Sequence, residues 1–408
     1  MLTTHAKIQT PTVPATAKPR RGHLVISYAL AGLVLLAVIN LAAAAFYKPD
    51  PFATPNRSWA YWAAKDCKAH QGAPDIIFFG SSLMLAVIND SDATFLQRTL
   101  DAVSHHHSAY FEKVMSEKLK RPIRTASFAI GGQMASDAYA LSKFLLRKDQ
   151  QPLIVWGIAP RDLVDSSFQD PCDSETIHYL QKVAAPDDVL PEKKRFWANV
   201  ENQLNKWIYI YQKRFDLQAL QHSLCRWAIN QLMGTKFDTI QTPQAILKMA
   251  KGNLPEDTAP GQWMVAPYNR KHALGMAAFA DNSKEYQMRY RPFKEQLFER
   301  QCTYVERFLD LAKQKGSRVV FVNMPLLPEN LAILPDGIYA LYLRRLHAIA
   351  SKHGALVIDF NKDGLFDRSD FCDPVHLHGE GGQKFLRMLA NRLNVRAQLA
   401  AKAAKRDI

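Results

Sequence analysis

Residues 76–82 of the chain read IIFFGSS, and this stretch decides the fold. Four large apolar residues in a row are typical of a strand that is buried on both faces of a parallel sheet. The glycine and the serines that follow predict a sharp turn into a helix, because glycine tolerates unusual backbone angles and serine is a preferred helix cap. Ser82 therefore stands where a strand passes into a helix.

Four further apolar runs predict strands of the same kind, at Thr125–Ile130, Leu153–Ile158, Val319–Asn323 and Leu356–Phe360. Helical periodicity follows in the segments between them, at residues 109–119, 135–147 and 341–353. Strands that alternate with helices predict a parallel five-stranded sheet in a three-layer α/β/α fold.

The strands divide the folded region into a first part at residues 70–165 and a second part at residues 301–395, followed by a tail at 396–408. The stretch between them, residues 166–300, is too long for a simple crossover, and we interpret it as a mostly helical insertion. Its many aromatic residues either build a core of its own, or cap a site and meet a partner: Trp197, Trp207, Tyr209, Tyr211, Trp227, Trp263 and Tyr268.

Residues 24–46 contain no charged residue and predict a single transmembrane helix. At about 1.5 Å per residue they are long enough for a hydrocarbon core of about 30 Å. Basic residues precede this segment, so the positive-inside rule places residues 1–23, a disordered tail, in the cytoplasm. The rest of the chain is then periplasmic or extracellular. A cleaved signal peptide is the alternative, since Ala42–Ala44 resembles a cleavage site.

The composition is that of a folded protein, with 48% hydrophobic and 22% charged residues among 408. A net charge of +14 favours anionic surroundings such as phospholipid headgroups or an acidic polysaccharide. We expect no nucleic-acid partner, because the basic residues are dispersed and no nucleic-acid-binding motif is present. Five cysteines form no CxxC motif, and their pairing is not readable from the sequence.

Ligands of open parallel sheets bind at the carboxyl ends of the strands. Four residues follow or end predicted strands and should therefore meet at one edge of the sheet: Ser82, Gly132, Arg161 and Asn323. Gly132, Arg161 and Asn323 are then the candidates for contact with the substrate or with an oxyanion. Taken alone, Ser82 reads as a helix cap. A second interpretation is a nucleophile at a helix N-terminus, where free N–H groups stabilise an oxyanion.

A loop near the C-terminus favours the second interpretation. It reads DPVHLHGEGG from Asp373, and an Asp and a His three residues apart can cooperate. His376 would act as general base for Ser82, and Asp373 would orient its imidazole. His378 is the alternative base, with its side chain expected to point away. Asp367 and Asp370 are alternative acids with poorer spacing.

The motifs FGSSL, at residues 79–83, and DPVHLHGEGG, at 373–382, resemble the first and last blocks of the SGNH (GDSL-type) hydrolases. The resemblance implies an SGNH-like fold, a catalytic triad of Ser82, His376 and Asp373, and an oxyanion hole made by the N–H groups of Ser82 and Gly132. The third block of the family usually supplies an Asn, which is absent here. Arg161 is the candidate replacement, or binds an anionic group of the substrate, or forms a salt bridge with a neighbouring Asp.

A single N-terminal anchor makes the chain similar to the membrane-tethered SGNH branch that includes teichoic-acid D-alanyl transfer and exopolysaccharide O-acetylation proteins. That resemblance implies a serine O-acyltransferase that acylates a polysaccharide acceptor beside a membrane-bound O-acyltransferase partner. An anchored carbohydrate or lipid esterase is one alternative. A non-catalytic scaffold or glycan-binding subunit of a polysaccharide export or modification complex is another.

Three consecutive histidines, His105, His106 and His107, suggest a metal site at first sight. Adjacent side chains diverge, however, so they do not form a compact ligand set. We interpret them as a solvated loop, and we expect neither a metal nor a cofactor.

Overall fold

The computed structural model describes residues 22–47, 73–101, 105–171, 279–362 and 364–393, together with short pieces between residues 174 and 232 and residues 265–266. Its centre is a five-stranded sheet in the spatial order β3-β1-β4-β6-β7, in which every neighbouring pair is parallel. The strands are β1 Ile76–Gly80, β3 Thr125–Ser127, β4 Leu153–Ile158, β6 Arg318–Asn323 and β7 Leu356–Asp359. The predicted parallel five-stranded sheet is confirmed.

Helices cover both faces of this sheet. On one face lie α2 Ser82–Leu96, α3 Ala109–Leu119 and α12 Gly379–Arg392, and on the other lie α4 Ala135–Leu145, α9 Glu295–Gln314 and α11 Ile338–His353. Consecutive residues of β1 show the two faces, because the ring of Phe78 packs on Phe111 of α3 and that of Phe79 packs on Phe308 of α9. The predicted three layers are therefore present.

The strand predicted at Thr125–Ile130 ends early, at Ser127. Phe128 and Ile130 still donate backbone hydrogen bonds to β1, but the carbonyl of Phe128 accepts from the side chain of Gln133. Regular pairing with β1 stops there because the side chain of Gln133 binds both the N–H of Gly80 and the carbonyl of Phe128, in place of a direct bond between the two strands. The helix predicted at 109–119 matches α3, the one at 135–147 extends two residues beyond α4, and the one at 341–353 begins three residues later than α11. Gly354 ends α11 in the left-handed conformation, as expected.

The glycines of the C-terminal motif allow α12 to contact α2 closely. A Cβ atom on Gly379 would lie 1.9 Å from the hydroxyl oxygen of Thr94, and one on Gly382 would lie 2.4 Å from that of Ser91. Neither position has room for a larger residue. The loop that precedes α12 is therefore held next to α2, whose first residue is Ser82.

The described parts of the insertion are mainly helical, with α6 Phe196–Trp207, α7 Tyr209–Gln212 and α8 Ser283–Tyr290. A two-residue strand, β5 Val265–Ala266, pairs antiparallel with β2 Leu100–Asp101. The insertion was expected to end at residue 300, but α9 runs continuously through that position. Its last residues thus belong to the packing of the main domain.

The N-terminal helix α1 covers Gly22–Phe46, and residues 28–46 of it are long and apolar enough to cross a membrane. The side chains between Tyr28 and Leu41 are largely exposed. The predicted tails at 1–23 and 396–408 lie outside the described residues, except for the first turn of α1.

Candidate active site

Three side chains from the two ends of the main domain are linked by two hydrogen bonds, with His376 between Ser82 and Asp373. The Nε2 atom of His376 lies 2.9 Å from the hydroxyl oxygen of Ser82. The Nδ1 atom of the same ring lies 2.7 Å from the Oδ2 atom of Asp373. An ionised Asp373 requires a proton on Nδ1, so this tautomer leaves Nε2 free to accept the serine proton. The order nucleophile, base and orienting acid is that of a serine acyl-transfer site.

The backbone turn at the end of β1 places Ser82 next to His376. Gly80 has φ of +149°, and a Cβ atom there would lie 2.6 Å from the carbonyl oxygen of Gly157. Only glycine therefore fits the turn. The helix cap is Ser81, and Ser82 is the first residue of α2, so the cap interpretation of Ser82 is wrong. Its N–H group has no partner within the helix and lies at the positive end of the helix dipole.

The loop around Asp373 holds its carboxylate ionised. Its Oδ1 atom accepts the N–H groups of Val375, at 2.9 Å, and of His376, at 2.8 Å. Burial by itself would raise the pKa of Asp373, but these bonds and the His376 imidazole bring the pKa below its ordinary value. The side chains of His376 and Asp373 are 18% and 14% exposed, so the site remains open to solvent.

The alternative base and acids have other structural roles. His378 is the N-cap of α12, with Nε2 against the carbonyl of Ser369 and Nδ1 accepting from the N–H of Gly381. Its side chain points away from Ser82, as expected. Asp367 caps the short 3₁₀ helix Arg368–Asp370, and Asp370 pairs with Lys384 at 2.7 Å.

The loop after β3 lies at the edge of the sheet where Ser82 is found, because β3 and β1 are neighbours. Gly132 in this loop has φ of +80°, which favours glycine. The buried side chain of Gln133 fixes the loop, since its Oε1 atom accepts the N–H of Gly80 at 2.9 Å. Its amide also donates to the carbonyl of Phe128.

Arg161 contacts this loop and two carboxylates through four hydrogen bonds and one further ion-pair contact. Nε and Nη2 contact the Oδ2 atom of Asp165, at 3.0 and 2.9 Å. Nη2 also donates to the carbonyl of Gly132 at 3.0 Å, and Nη1 to the carbonyl of Gln133 at 3.2 Å. The last contact joins Nη1 to Asp162 at 3.4 Å.

Of the three interpretations of Arg161, the structure supports the salt bridge. The residue is 4% exposed, and each of its three guanidinium nitrogens hydrogen-bonds to a carbonyl or a carboxylate of the protein. Its guanidinium instead holds the backbone of the loop that contains Gly132. Burial would raise the pKa of Asp165, but Arg161 and other donors lower it. Burial raises the pKa of Asp162 to about 6, against the effect of Arg161.

Asn323 does not face the site, although it ends β6. It is completely buried, and its Nδ2 atom donates to Asp359 at 2.8 Å and to the hydroxyl of Tyr339 at 3.1 Å. Its Oδ1 atom accepts from the hydroxyl of Tyr342. All its hydrogen-bonding groups are used between strand and helix, so the expectation that Asn323 contacts substrate is wrong.

The three consecutive histidines are not a solvated loop. His106 is 5% exposed, and the Nε2 atom of His105 lies 2.7 Å from the carboxylate of Asp92, which also accepts the first N–H groups of α3. His107 pairs with Glu112. The cluster thus fixes the start of α3. Within the described residues there is no group of three or more His, Cys, Asp or Glu that could hold a metal ion.

The end of the insertion contacts the site, through residues that the sequence did not single out. The N–H of Ala280 donates to the carbonyl of Cys372, and Arg289 donates from Nη1 to Asp165 at 2.8 Å. Between these contacts lies Tyr286, which is 5% exposed. Burial and the charge of Asp373 raise the pKa of Tyr286, so its phenol keeps its proton. No local pattern marks such residues, because their partners are distant in sequence.

No protein-family model and no curated protein matches the chain. Among solved structures, one match is a protein from Bacteroides fragilis described as a "putative acylhydrolase", with 12% sequence identity. The match covers 83% of this chain and 98% of that chain, with a TM-score of 0.34. A score this low carries no argument about function, so any functional assignment has to rest on the geometry of the site.

Proposed function

We propose that the protein is a membrane-anchored, extracytoplasmic serine O-acyltransferase of SGNH type, which transfers an acyl group, preferentially acetyl, to a polysaccharide. The hydrogen-bonded chain from Ser82 through His376 to Asp373 carries this proposal. The FGSSL and DPVHLHGEGG motifs and the sheet that brings them together support the choice of SGNH type.

In the first half-reaction, the hydroxyl oxygen of Ser82 attacks the carbonyl carbon of the acyl donor, and Nε2 of His376 takes the serine proton. The negative charge that develops on the carbonyl oxygen is stabilised by the N–H groups of Ser82 and Gly132. The bond to the leaving group then breaks, His376 returns the proton to that group, and an acyl ester remains on Ser82.

In the second half-reaction, a sugar hydroxyl takes the place of the leaving group. His376 removes its proton as the oxygen attacks the acyl-serine, and the same proton then returns to Ser82. Asp373 keeps Nδ1 protonated and stabilises the charged imidazole in both steps. The products are an acylated glycan and the free enzyme, so no cofactor is needed.

An esterase is the second candidate function, because the partly exposed side chains of His376 and Asp373 admit water. Water in place of the sugar hydroxyl would release a free acid. Two features favour transfer: the apolar helix α1, which would anchor the site at a membrane, and the net charge of +14, which suits an anionic glycan. A membrane-bound O-acyltransferase is the proposed source of the acyl group.

The test is an acetyl-transfer assay with the full chain in detergent, p-nitrophenyl acetate as donor and an anionic polysaccharide as acceptor. Transfer predicts that the glycan accelerates nitrophenol release and becomes acetylated. Hydrolysis predicts that acetate forms at the same rate with or without glycan.

Matched surface variants serve as controls for the catalytic ones. Ser351 and His347 are both exposed on α11, so Ser351→Ala and His347→Ala should keep full activity. Ser82→Ala and His376→Ala should abolish it. Full turnover by Ser82→Ala would contradict both enzymatic functions and leave the scaffold or glycan-binding role.

A further inference from the structure

A short stretch of aromatic and basic residues lies beside the C-terminal end of α1. We call residues 203–214, which read QLNKWIYIYQKR, the interfacial belt. It contains three aromatic residues and three basic ones, and no acidic residue. It comprises the end of α6 and all of α7.

Two hydrogen bonds join the interfacial belt to α1 and to Tyr47, the residue that follows it. The N–H of Ile210 donates to the side-chain oxygen of Asn40 at 3.0 Å, and the hydroxyl of Tyr209 donates to the carbonyl of Tyr47. Asn40 is the polar residue nearest the C-terminal end of the apolar segment, so the first bond also satisfies its carbonyl group.

These contacts fix the depth of the interfacial belt relative to the anchor. Asn40 precedes Phe46, the end of the apolar helix, by six residues. At about 1.5 Å per residue, the two lie about 9 Å apart along the helix axis. A bilayer spanned by α1 has its boundary between acyl chains and headgroups near Phe46. The contact at Asn40 therefore lies about 9 Å below this boundary, within the roughly 5–10 Å to which the apolar side of amphipathic helices is buried.

The exposed side chains have the chemistry of that boundary. Trp207 is 71% exposed, and the ammonium group of Lys206 lies 5.5 Å from the centre of its ring. The guanidinium of Arg214 lies 4.0 Å from the ring of Tyr211. Tryptophan and tyrosine are enriched at membrane interfaces, and lysine and arginine bind anionic headgroups there.

We propose that the interfacial belt sits on the anionic lipid headgroups of the leaflet at the C-terminal end of α1. This inference rests on the membrane-spanning role proposed for α1, and it adds a second, reversible membrane contact through the insertion. Apolar burial of Trp207 and the charges of Lys206, Lys213 and Arg214 supply the attraction. A protein partner on the same surface is the competing occupant.

The test uses the full chain, reconstituted without any other protein into phosphatidylcholine nanodiscs, with or without phosphatidylglycerol. Lipids brominated at shallow acyl positions quench the fluorescence of tryptophan residues that touch the bilayer. Trp207→Phe identifies the contribution of that residue. Trp156→Phe is the control, because Trp156 is 1% exposed within the sheet.

The proposal predicts that Trp207→Phe removes a quenched component and that Trp156→Phe does not. It also predicts more quenching in discs that contain phosphatidylglycerol, and loss of that increase in the triple variant Lys206→Gln/Lys213→Gln/Arg214→Gln. An unquenched Trp207 in these lipid-only discs would overturn the proposal in favour of a protein occupant. Quenching that ignores the triple substitution would overturn the role of anionic headgroups.

Two further readouts separate this proposal from the proposed function. Flotation of the full chain with lipid vesicles tests the anchor alone, and p-nitrophenyl acetate turnover tests the triad alone. The triple variant should keep full turnover, since its residues do not contact Ser82 or His376. Lost turnover together with altered circular dichroism would mean that the triple variant misfolds. The single variants Lys206→Gln and Lys213→Gln then replace it. Each should lose part of the additional quenching that phosphatidylglycerol causes.

Discussion

The guanidinium of Arg161 donates a hydrogen bond from Nη2 to the carbonyl oxygen of Gly132, at 3.0 Å. A buried cation thus holds the backbone of the loop whose N–H is proposed to stabilise the oxyanion. Arg161 reaches the reaction through this loop and not by contact with substrate, which makes it a positioning residue.

Arg161→Lys should lower kcat more than it changes KM. A lysine keeps the positive charge near Asp165 but cannot replace the four directed hydrogen bonds of the planar guanidinium, so Gly132 loses its support. Initial rates with p-nitrophenyl acetate at several concentrations give the two constants. Arg161→Ala should instead destabilise the fold by up to about 3–5 kcal/mol, because the buried carboxylates of Asp162 and Asp165 lose a cation that contacts both, and only Asp165 keeps another in Arg289. Equal kcat for wild type and Arg161→Lys would contradict the positioning role.

Asn323→Ala should reduce stability while leaving kcat of the folded enzyme unchanged. The substitution removes the hydrogen bonds of Asn323 to Tyr342 and Asp359, at a cost of about 0.5–1.5 kcal/mol for each bond. The hydroxyl of Tyr342 keeps the carbonyl of Ile158, and the carboxylate of Asp359 keeps the N–H of Asn361. Urea denaturation measures the loss of stability. A large fall in kcat with normal stability would return Asn323 to the active site.

Asp373→Asn should lower kcat by about 10⁴-fold, the size of effect known for the orienting acid of Ser-His-Asp enzymes. The amide cannot hold a protonated Nδ1, so Nε2 of His376 no longer accepts the serine proton. Asp336 is exposed, and Asp336→Asn is the matched control. A decrease of only a few-fold would mean that another acid orients the imidazole.

Two buried carboxylates, those of Asp137 and Asp162, should make the protein more stable in mild acid than at neutral pH. Burial raises the pKa of Asp137 and of Asp162 to about 6, above the ordinary value of 3.8. Each binds a proton in the folded state before it does so in the unfolded state. Stability from these two groups therefore increases as pH falls from above 6 towards 4, and decreases as pH rises through 6.

Asp137→Asn tests this pH dependence. The variant removes one of the two raised carboxylates, so its Tm should fall less than that of the wild type when pH rises from 5 to 8. Thermal melts at fixed ionic strength measure the difference. Asp336→Asn is the control, because Asp336 is exposed just before α11. Equal changes in Tm for the wild type and for Asp137→Asn over this pH interval would contradict the assignment.

The sheet, and the contacts of His376 with Ser82 and Asp373, could be predicted from the sequence because their signals are local. Apolar runs mark strands that are buried on both faces, and the ends of parallel strands share one edge. The same rule placed Asn323 at that edge but could not give the direction of its side chain, which Tyr342 and Asp359 determine from distant parts of the chain.

The residues that the sequence did not indicate all depend on long-range contacts. Gln133 binds the end of β1, and Arg289 of the insertion binds Asp165. His105 binds Asp92, which turns an apparently solvated histidine run into part of a helix start. A side chain's hydrogen-bond partners follow from the tertiary structure, and spacing along the chain does not encode them.

The central claim is that Ser82 carries the acyl group, and trapping the acyl-enzyme tests it most directly. The full chain is mixed with p-nitrophenyl acetate, quenched in acid, and analysed by intact mass and peptide mapping. We predict one added acetyl group, located on the peptide that contains Ser82, absent from Ser82→Ala and present in the control Ser351→Ala. Equal acetylation of Ser82→Ala, or an acetyl group on a different residue, would contradict the account.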